Sequence, residues 1–306
     1  MKRRVVVTGL GAVTPIGNNV KDMWQGILEG QCGIDEITHF DTSHMKVKLA
    51  GEVKDLDVTA FLDKKAVRKM DKFIQYGLIA AKEAIKDANL NIETVDHDRF
   101  GVVVSSGIGG IGSIETNHQK ALEKGFDRVS PYFIPMTIVN LAAGNIAIEV
   151  KAQGLCTTPV TACAGGTNAI GDAFRNIRDG YQDIMIAGGC EASITPLGIG
   201  GFTSMKALSE SHDKNRASIP FDKERNGFVM GEGAGMLLLE EYKHAKKRGA
   251  KIYCEMVGYG VSCDAHHITA PLENGEGGAK AMQNALNDAN ISYQDIDYIN
   301  AEHLHR

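Results

Sequence analysis

The sequence predicts an α/β protein with a mostly parallel sheet, on three observations. Short β-branched runs alternate along the chain with stretches of 3- and 4-residue apolar spacing. Glycine is abundant, 35 of 306 residues, while proline is scarce at 7; that balance favours close backbone packing over a disordered chain. Charged residues make up 23 % and hydrophobic residues 43 %, ordinary values for a globular protein long enough to bury a large core.

The elements follow in chain order. Residues 4–8 read as a buried strand ended by Gly9-Leu10-Gly11, and 20–28 as a helix. From 70 to 88, Phe73, Ile74, Leu78, Ala81 and Ile85 share one helical face, and Asn89 marks the stop. Residues 100–105 read as a strand, 107–112 as a glycine-rich loop and 113–123 as a helix. A strand is expected at 158–162, a helix from Cys163 to Asp179, and a further strand at 183–187. Residues 228–239 and 251–260 read as strands around a helix at 241–248. A helix at 279–289 and a strand at 296–300 complete the alternation. A weak internal echo pairs residues 4–14 (RVVVTGLGAVT) with 252–262 (IYCEMVGYGVS), each a strand running into Gly-x-Gly. It divides the chain into a first unit, residues 1–250, and a second, residues 251–306. The second, with only about 55 residues, is shorter than a matching domain and is expected to be incomplete.

Charge and cysteine usage exclude several classes. The formal net charge is −5, which argues against binding nucleic acid through a general basic field. The six cysteines form no CxxC pair, so free thiols in a reducing compartment, the cytoplasm, are expected. The first apolar run breaks at Thr8-Gly9, too short for a signal-peptide core. No run of eighteen apolar residues occurs, so no membrane span is expected.

The strongest chemical feature is Thr161-Ala162-Cys163-Ala164-Gly165-Gly166. It reads as a strand ending at a cysteine, with two glycines for a sharp turn and a helix starting at once. The positive end of a helix dipole favours a thiolate there, and the Cys163 N–H can help hold an oxyanion. Cys32, Cys190 and Cys254 read as structural thiols.

The segment around Cys163 resembles the nucleophile region of the thiolase-like condensing enzymes. So do residues 220–235 (PFDKERNGFVMGEGAG), the start VVVTGLG at 5–11 and DAHHITAP at 264–271. These motifs stand in the family's order over residues 1 to about 301, and are most similar to the β-ketoacyl-[acyl-carrier-protein] synthase II group of bacterial fatty-acid synthesis. The resemblance implies two related α/β halves in a layered αβαβα arrangement, paired as a homodimer, with no cofactor and no metal. It implies that Cys163 takes an acyl chain from its carrier protein, and that malonyl-carrier then loses CO2 and attacks the thioester as an enolate. It makes Ile108 a gate to an acyl tunnel lined by Phe133, Ile134 and Phe202, and places His267 and Thr269 at the pantetheine entrance. Lys65, Arg68, Lys69 and Lys72 fall at i, i+3, i+4 and i+7, a basic helical stripe. A solvated face is its bland reading; the resemblance makes it a dock for acidic carrier protein, with Lys206 added.

The chain departs from the family at its end. Where the family carries Asn-Ala-His-Gly-Thr-Ser-Thr, it reads Asn300-Ala301-Glu302-His303-Leu304-His305-Arg306. An ionised carboxylate cannot donate to an enolate oxygen, so impaired activity is expected, unless His303 or His305 acts in a shifted register. Two other function classes remain open: a non-catalytic truncated partner subunit, and an NAD-binding oxidoreductase. The second rests on Gly107-Ile108-Gly109-Gly110-Ile111-Gly112, which fits G-x-G-x-x-G. Cys263, His266 and His267 match no standard zinc spacing. Glu232, between glycines, reads as structural, and His39 and His244 show no partner pattern.

Overall fold

A computed structural model describes residues 2–301. β1 (Val5–Val13) leads to α1 (Val20–Leu28), then to a short hairpin of β2 (Asp35–Glu36) and β3 (Leu49–Ala50). The short α2 (Lys64–Val67) precedes the long α3 (Lys72–Asp87), and β4 (Phe100–Ser105) enters the sheet. α4 (Ile111–Lys124), α5 (Phe133–Thr137) and α6 (Leu141–Val150) follow. Then come β5 (Cys156–Thr157), α7 (Gly165–Arg178), β6 (Ile184–Glu191) and α8 (Pro196–Ser204). β7 (Gly233–Glu241), α9 (Tyr242–Lys247), β8 (Cys254–Met256) and α10 (Glu276–Ala289) complete the series.

The main sheet has the order β5-β4-β6-β7-β1-β8. β4 runs parallel to β5 and β6, but β6–β7, β7–β1 and β1–β8 are antiparallel, so the sheet is mixed rather than mostly parallel. The sheet is sandwiched between helices, and strand alternation sorts its residues. Phe100, Val102 and Val104 of β4 join α3 and α6 in one apolar cluster, whereas Val103 joins Ala169, Ala173, Phe174 and Ile177 of α7 on the other face. A third cluster, including Ile37, Val47, Ile199, Leu208 and Met230, lies under the β2–β3 hairpin and α8.

β1 does not stop at Gly9. It continues to Val13, with a register shift between Val7 and Gly9 that turns the following residues to the other face. The glycines serve packing, not a turn. A Cβ on Gly9 would lie 2.1 Å from the Ala84 carbonyl oxygen, and one on Gly11 1.8 Å from that of Ala80. Only bare backbone lets α3 come this close. The second copy of the echo repeats the device: a Cβ on Gly258 would fall 2.5 Å from the Ala285 oxygen, and one on Gly260 2.1 Å from that of Ala281, on α10.

Several other boundaries differ from the sequence reading. Residues 158–162, expected as a strand, form none: the strand stands just before them at Cys156–Thr157, because Pro159 lacks an N–H for a ladder and Ala162 turns to φ 50°. The strand read at 228–239 begins at Gly233, and that read at 251–260 is Cys254–Met256 alone. Residues 296–300 form no strand, and Ile296, Tyr298 and Ile299 are exposed; a strand exists only where a neighbour pairs with it. His39 and His244 have partners that sequence spacing did not show. His39 Nε2 lies 2.9 Å from Glu232 Oε1, which also accepts from Val53 N and the Tyr76 hydroxyl, so Glu232 ties the β2–β3 segment to α3. His244 Nδ1 lies 2.7 Å from Glu240 Oε2.

Glu240 is fully buried in β7. Burial would push its carboxyl up, but Arg248, His244 and Thr8 bond it and bring it down to about 2 from an ordinary 4.5. A depressed carboxyl stabilises the fold above its unfolded value and loses that contribution as pH falls toward the folded one. Stability measured by urea unfolding is therefore expected to fall between about pH 4.5 and pH 2, with Glu240 supplying on the order of 3 kcal/mol of the loss. A Glu240→Gln variant is expected to be less stable at pH 7 and to show a flatter acid limb; an unchanged limb would remove Glu240 from this role.

Candidate active site

Cys163 stands on the one-turn 3-10 segment Ala162–Ala164, at the junction between β5 and α7. It is exposed, as are Cys32, Cys156, Cys254 and Cys263; Cys190 is buried. Cys32 and Cys254 are thus surface thiols, and the structural reading survives for Cys190 alone of the three. Burial pushes the Cys190 thiol far up, and desolvation also raises those of Cys156 and Cys254.

Close backbone contacts place the turn. A Cβ on Gly165 would lie 2.0 Å from Ser105 Oγ, at the end of β4, and the Ser105 hydroxyl donates to the Pro159 carbonyl at 2.7 Å. Gly166 passes against Gly189 of β6. No side chain caps the start of α7, where the Gly165 N–H donates instead to the Ala162 carbonyl. Ala162 at φ 50° is left-handed, an unusual conformation for a residue with a Cβ.

The glycine loop after β4 faces this turn. A Cβ on Gly107 would stand 3.9 Å from Ala162. The Gly107 and Ile108 amides both donate to Glu191 Oε2, at 2.9 and 3.0 Å, and Glu191 Oε1 accepts from the Ser193 hydroxyl at 2.6 Å. This carboxylate settles the dinucleotide reading. The amides that would cradle a phosphate are spent on a negative charge, which would repel one. The segment after α4 is also a 3-10 turn leading to α5, not the second strand a dinucleotide fold needs.

The structure brings some predicted residues together. Half-buried Ile108 lies two residues before Gly110, which packs on the Met136 carbonyl of α5. Phe133 and Ile134 lie on that helix, Phe133 half-buried and Ile134 exposed. Phe202 is set apart in the third cluster, edge-on to Phe228 with centroids 5.4 Å apart. His267 and Thr269 share an exposed turn, where His267 Nδ1 accepts from the Thr269 and Ala270 amides at 3.2 and 3.0 Å. That geometry leaves the ring proton on Nε2.

The basic residues do not form one helical stripe. α2 ends at Val67, Arg68 is its C-cap, and α3 starts afresh at Lys72 behind the Asp71 cap. Lys65, Arg68, Lys69 and Lys206 do not share a helix face, and Lys69 and Lys206 are exposed. Lys69 Nζ stands 5.0 Å from the Tyr132 ring, just before α5, which puts this charge beside the helix carrying Phe133 and Ile134. Lys72 points elsewhere, 3.3 Å from His39 Nε2. Glu302, His303 and His305 lie outside the described residues. Sequence reading missed Glu191 and Asn168 around the turn; neither stands in a motif of its own, and the partners that matter most are distant in the chain.

Residues 2–245 match the family model described as beta-ketoacyl synthase, N-terminal domain, and residues 253–303 match its C-terminal domain. The chain is 52 % identical over 301 residues to a 3-oxoacyl-[acyl-carrier-protein] synthase 2 of Synechocystis sp., covering 98 % of this chain and 72 % of that protein. A Staphylococcus aureus protein of the same name is 50 % identical over 299 residues, with the same coverage. Among solved structures, a beta-ketoacyl synthase from Burkholderia phymatum superposes with a TM-score of 0.88 at 33 % identity, over 98 % of this chain and 74 % of that one. A type II polyketide ketosynthase solved with its acyl-carrier protein gives 0.87 at 33 % identity, over 100 % and 74 %. The mixed sheet between helices is therefore the thiolase-like ketosynthase fold, and the chain belongs to the β-ketoacyl synthase family of condensing enzymes.

Proposed function

We propose that the chain is a 3-oxoacyl-[acyl-carrier-protein] synthase of fatty-acid elongation, with Cys163 as its acyl-accepting nucleophile. The observation that carries this reading is the exposed Cys163 thiol on a left-handed turn at the uncapped start of α7. In the first step Cys163 Sγ attacks the acyl thioester carbonyl. A C–S bond forms to the enzyme, the bond to the pantetheine sulfur breaks, and the proton from Cys163 ends on the departing thiol. In the second step, which Glu302 in place of the family's histidine is expected to impair, the malonyl C–CO2 bond breaks and CO2 leaves. Its electron pair passes to the thioester as an enolate, which forms a C–C bond to the acyl carbon and expels the Cys163 thiolate. The Cys163 N–H is offered to the tetrahedral oxyanion.

Around this nucleophile we assign Ile108 as the gate, Phe133 and Ile134 as the neighbouring wall, Phe202 as a more distant lining residue, and the His267–Thr269 turn as the pantetheine entrance. Acidic carrier protein docks on Lys65, Arg68, Lys69 and Lys206. Residues 1–250 form the first half and 251–306 part of the second. A second copy fits against β5, an edge strand flanked by exposed Ile148 and Val160, since such an edge offers unpaired backbone to a partner. No helix among the described residues is long and apolar enough to cross a membrane, and free thiols suit the cytoplasm.

Three outcomes test this reading. Limited iodoacetamide near neutral pH, mapped by peptide mass spectrometry, is expected to label Cys163 well ahead of Cys32, which is also exposed; equal rates would sink the nucleophile. Ile108→Phe is expected to slow acyl transfer from long-chain thioesters more than from short ones, and an unshifted chain-length profile would remove the gate. Affinity for acyl-carrier protein is expected to drop steeply between about 50 and 500 mM salt, because exposed charges are screened over about 10 Å at 0.1 M. Salt-independent binding would clear the four basic residues of this role.

A further inference from the structure

We infer that Tyr259, a residue of the second half, positions the nucleophilic turn of the first through Asn168 and Thr161. The inference rests on the reading of Cys163 as nucleophile and adds a positioning residue to it.

Three side chains form a continuous path. The Thr161 hydroxyl donates to Asn168 Oδ1 at 2.7 Å, and Asn168 Nδ2 donates to the Tyr259 hydroxyl at 2.6 Å. Both ends of the Asn168 amide are engaged, so its orientation is determined. Thr161 is the residue immediately before the left-handed Ala162, and Asn168 lies on the first turns of α7. The path therefore bridges the turn that carries Cys163 to the body of the helix behind it.

Tyr259 is a firm anchor. Its ring is buried and rests on Gly171, where a Cβ would come 2.2 Å from ring carbon Cε2. The Arg175 guanidinium covers the ring at 4.6 Å. The Tyr259 N–H donates to Asp288 Oδ2 at 3.0 Å, and Arg178 holds both oxygens of that carboxylate at 2.8 Å. Ring and backbone are thus fixed by α7 and α10 together. Burial keeps the phenol protonated, so it can accept from Asn168 without presenting a charge.

Such an anchor has a mechanical reason. A left-handed residue with a Cβ costs roughly 1–3 kcal/mol and persists only where its surroundings over-determine it. No capping side chain does so at the start of α7. Attack on a thioester carbonyl needs the sulfur aimed along one line, whereas alkylation by a small reagent is far less demanding, and a displacement of about 1 Å can cost 10²-fold in an oriented reaction.

The test follows from that difference. Acylation of Cys163 by octanoyl-pantetheine thioester and its alkylation by iodoacetamide are measured by mass spectrometry on the full chain. The proteins compared are wild type, Tyr259→Phe, Thr161→Val, Thr161→Ser and a double variant that carries both Tyr259→Phe and Thr161→Val. Tyr259→Phe and Thr161→Val are each expected to slow acylation about tenfold while changing alkylation less than about twofold. Thr161→Ser is expected to retain the wild-type rate. The double variant is expected to be no slower than either single one, because both changes cut the same path. Unchanged acylation in Tyr259→Phe, multiplied losses in the double variant, or a parallel fall in alkylation would each overturn the inference while leaving Cys163 as nucleophile. A wild-type Cys163 that takes no acyl group would overturn both.

Discussion

Glycines pressed against helix carbonyls set how closely the layers of this molecule approach, and the site depends on them. At Gly9 and Gly11 the backbone of β1 touches α3, and at Gly258 and Gly260 the second-half segment touches α10 in the same way. Side chains of an extended chain alternate between faces, so the residue between two such glycines points away from that helix. In the first copy it is Leu10, which packs with the α7 cluster. In the second it is Tyr259, whose ring lies on Gly171 of α7. One backbone device, used twice, therefore aims a large side chain at the helix that starts beside Cys163. A Cβ at any of the four glycines would push the chain off its helix and disturb α7 from behind.

The other side of the Cys163 turn is governed by charge. Glu191 ends β6 and holds the Gly107 and Ile108 amides on one oxygen. Hydrogen bonds to an ionised acceptor are worth roughly 1.5–3 kcal/mol each, enough to set the conformation of a loop that glycine leaves otherwise free. The loop then keeps its amides on the carboxylate, with Ile108 two residues from the contact with α5. The same glycine spacing that suits a dinucleotide thus serves another purpose, because of a carboxylate that lies 84 residues away from Gly107 in the chain.

Much of the fold was legible in local pattern. The helices α1, α3 and α7 and the strand β4 stand where periodicity and stop signals put them, since each has a strong local cause: Asp71 capping α3, or Asn89 at φ 48° closing it. Strand directions were not legible, because β-branched runs do not report whether their neighbours run parallel. The extent of β1 was misread because glycine signals either a turn or a close contact, and only α3 decides between them. For the candidate site, the coincidence of cysteine, Gly-Gly and helix singled out Cys163, and the structure puts it just before α7 as read. Asn168 and Tyr259 were not singled out, since their bond spans 91 residues. The basic stripe was misread because a broken helix keeps its residue spacing but not its face.

The two sides of the Cys163 turn are restrained differently, and the asymmetry suits the proposed nucleophile, which would be acylated and released in every cycle. On one side Ser105 grips the Pro159 carbonyl and Gly165 seats against β4, so the backbone is held by sheet contacts. On the other, Thr161 reaches over the turn to Asn168 by a single side-chain bond. Glycine in place of Ala162 would relieve the left-handed strain, but it would also widen the range of directions open to the sulfur. Retaining a Cβ there narrows that range at a cost in stability, and this cost is tolerable only because distant side chains hold the segment from both ends.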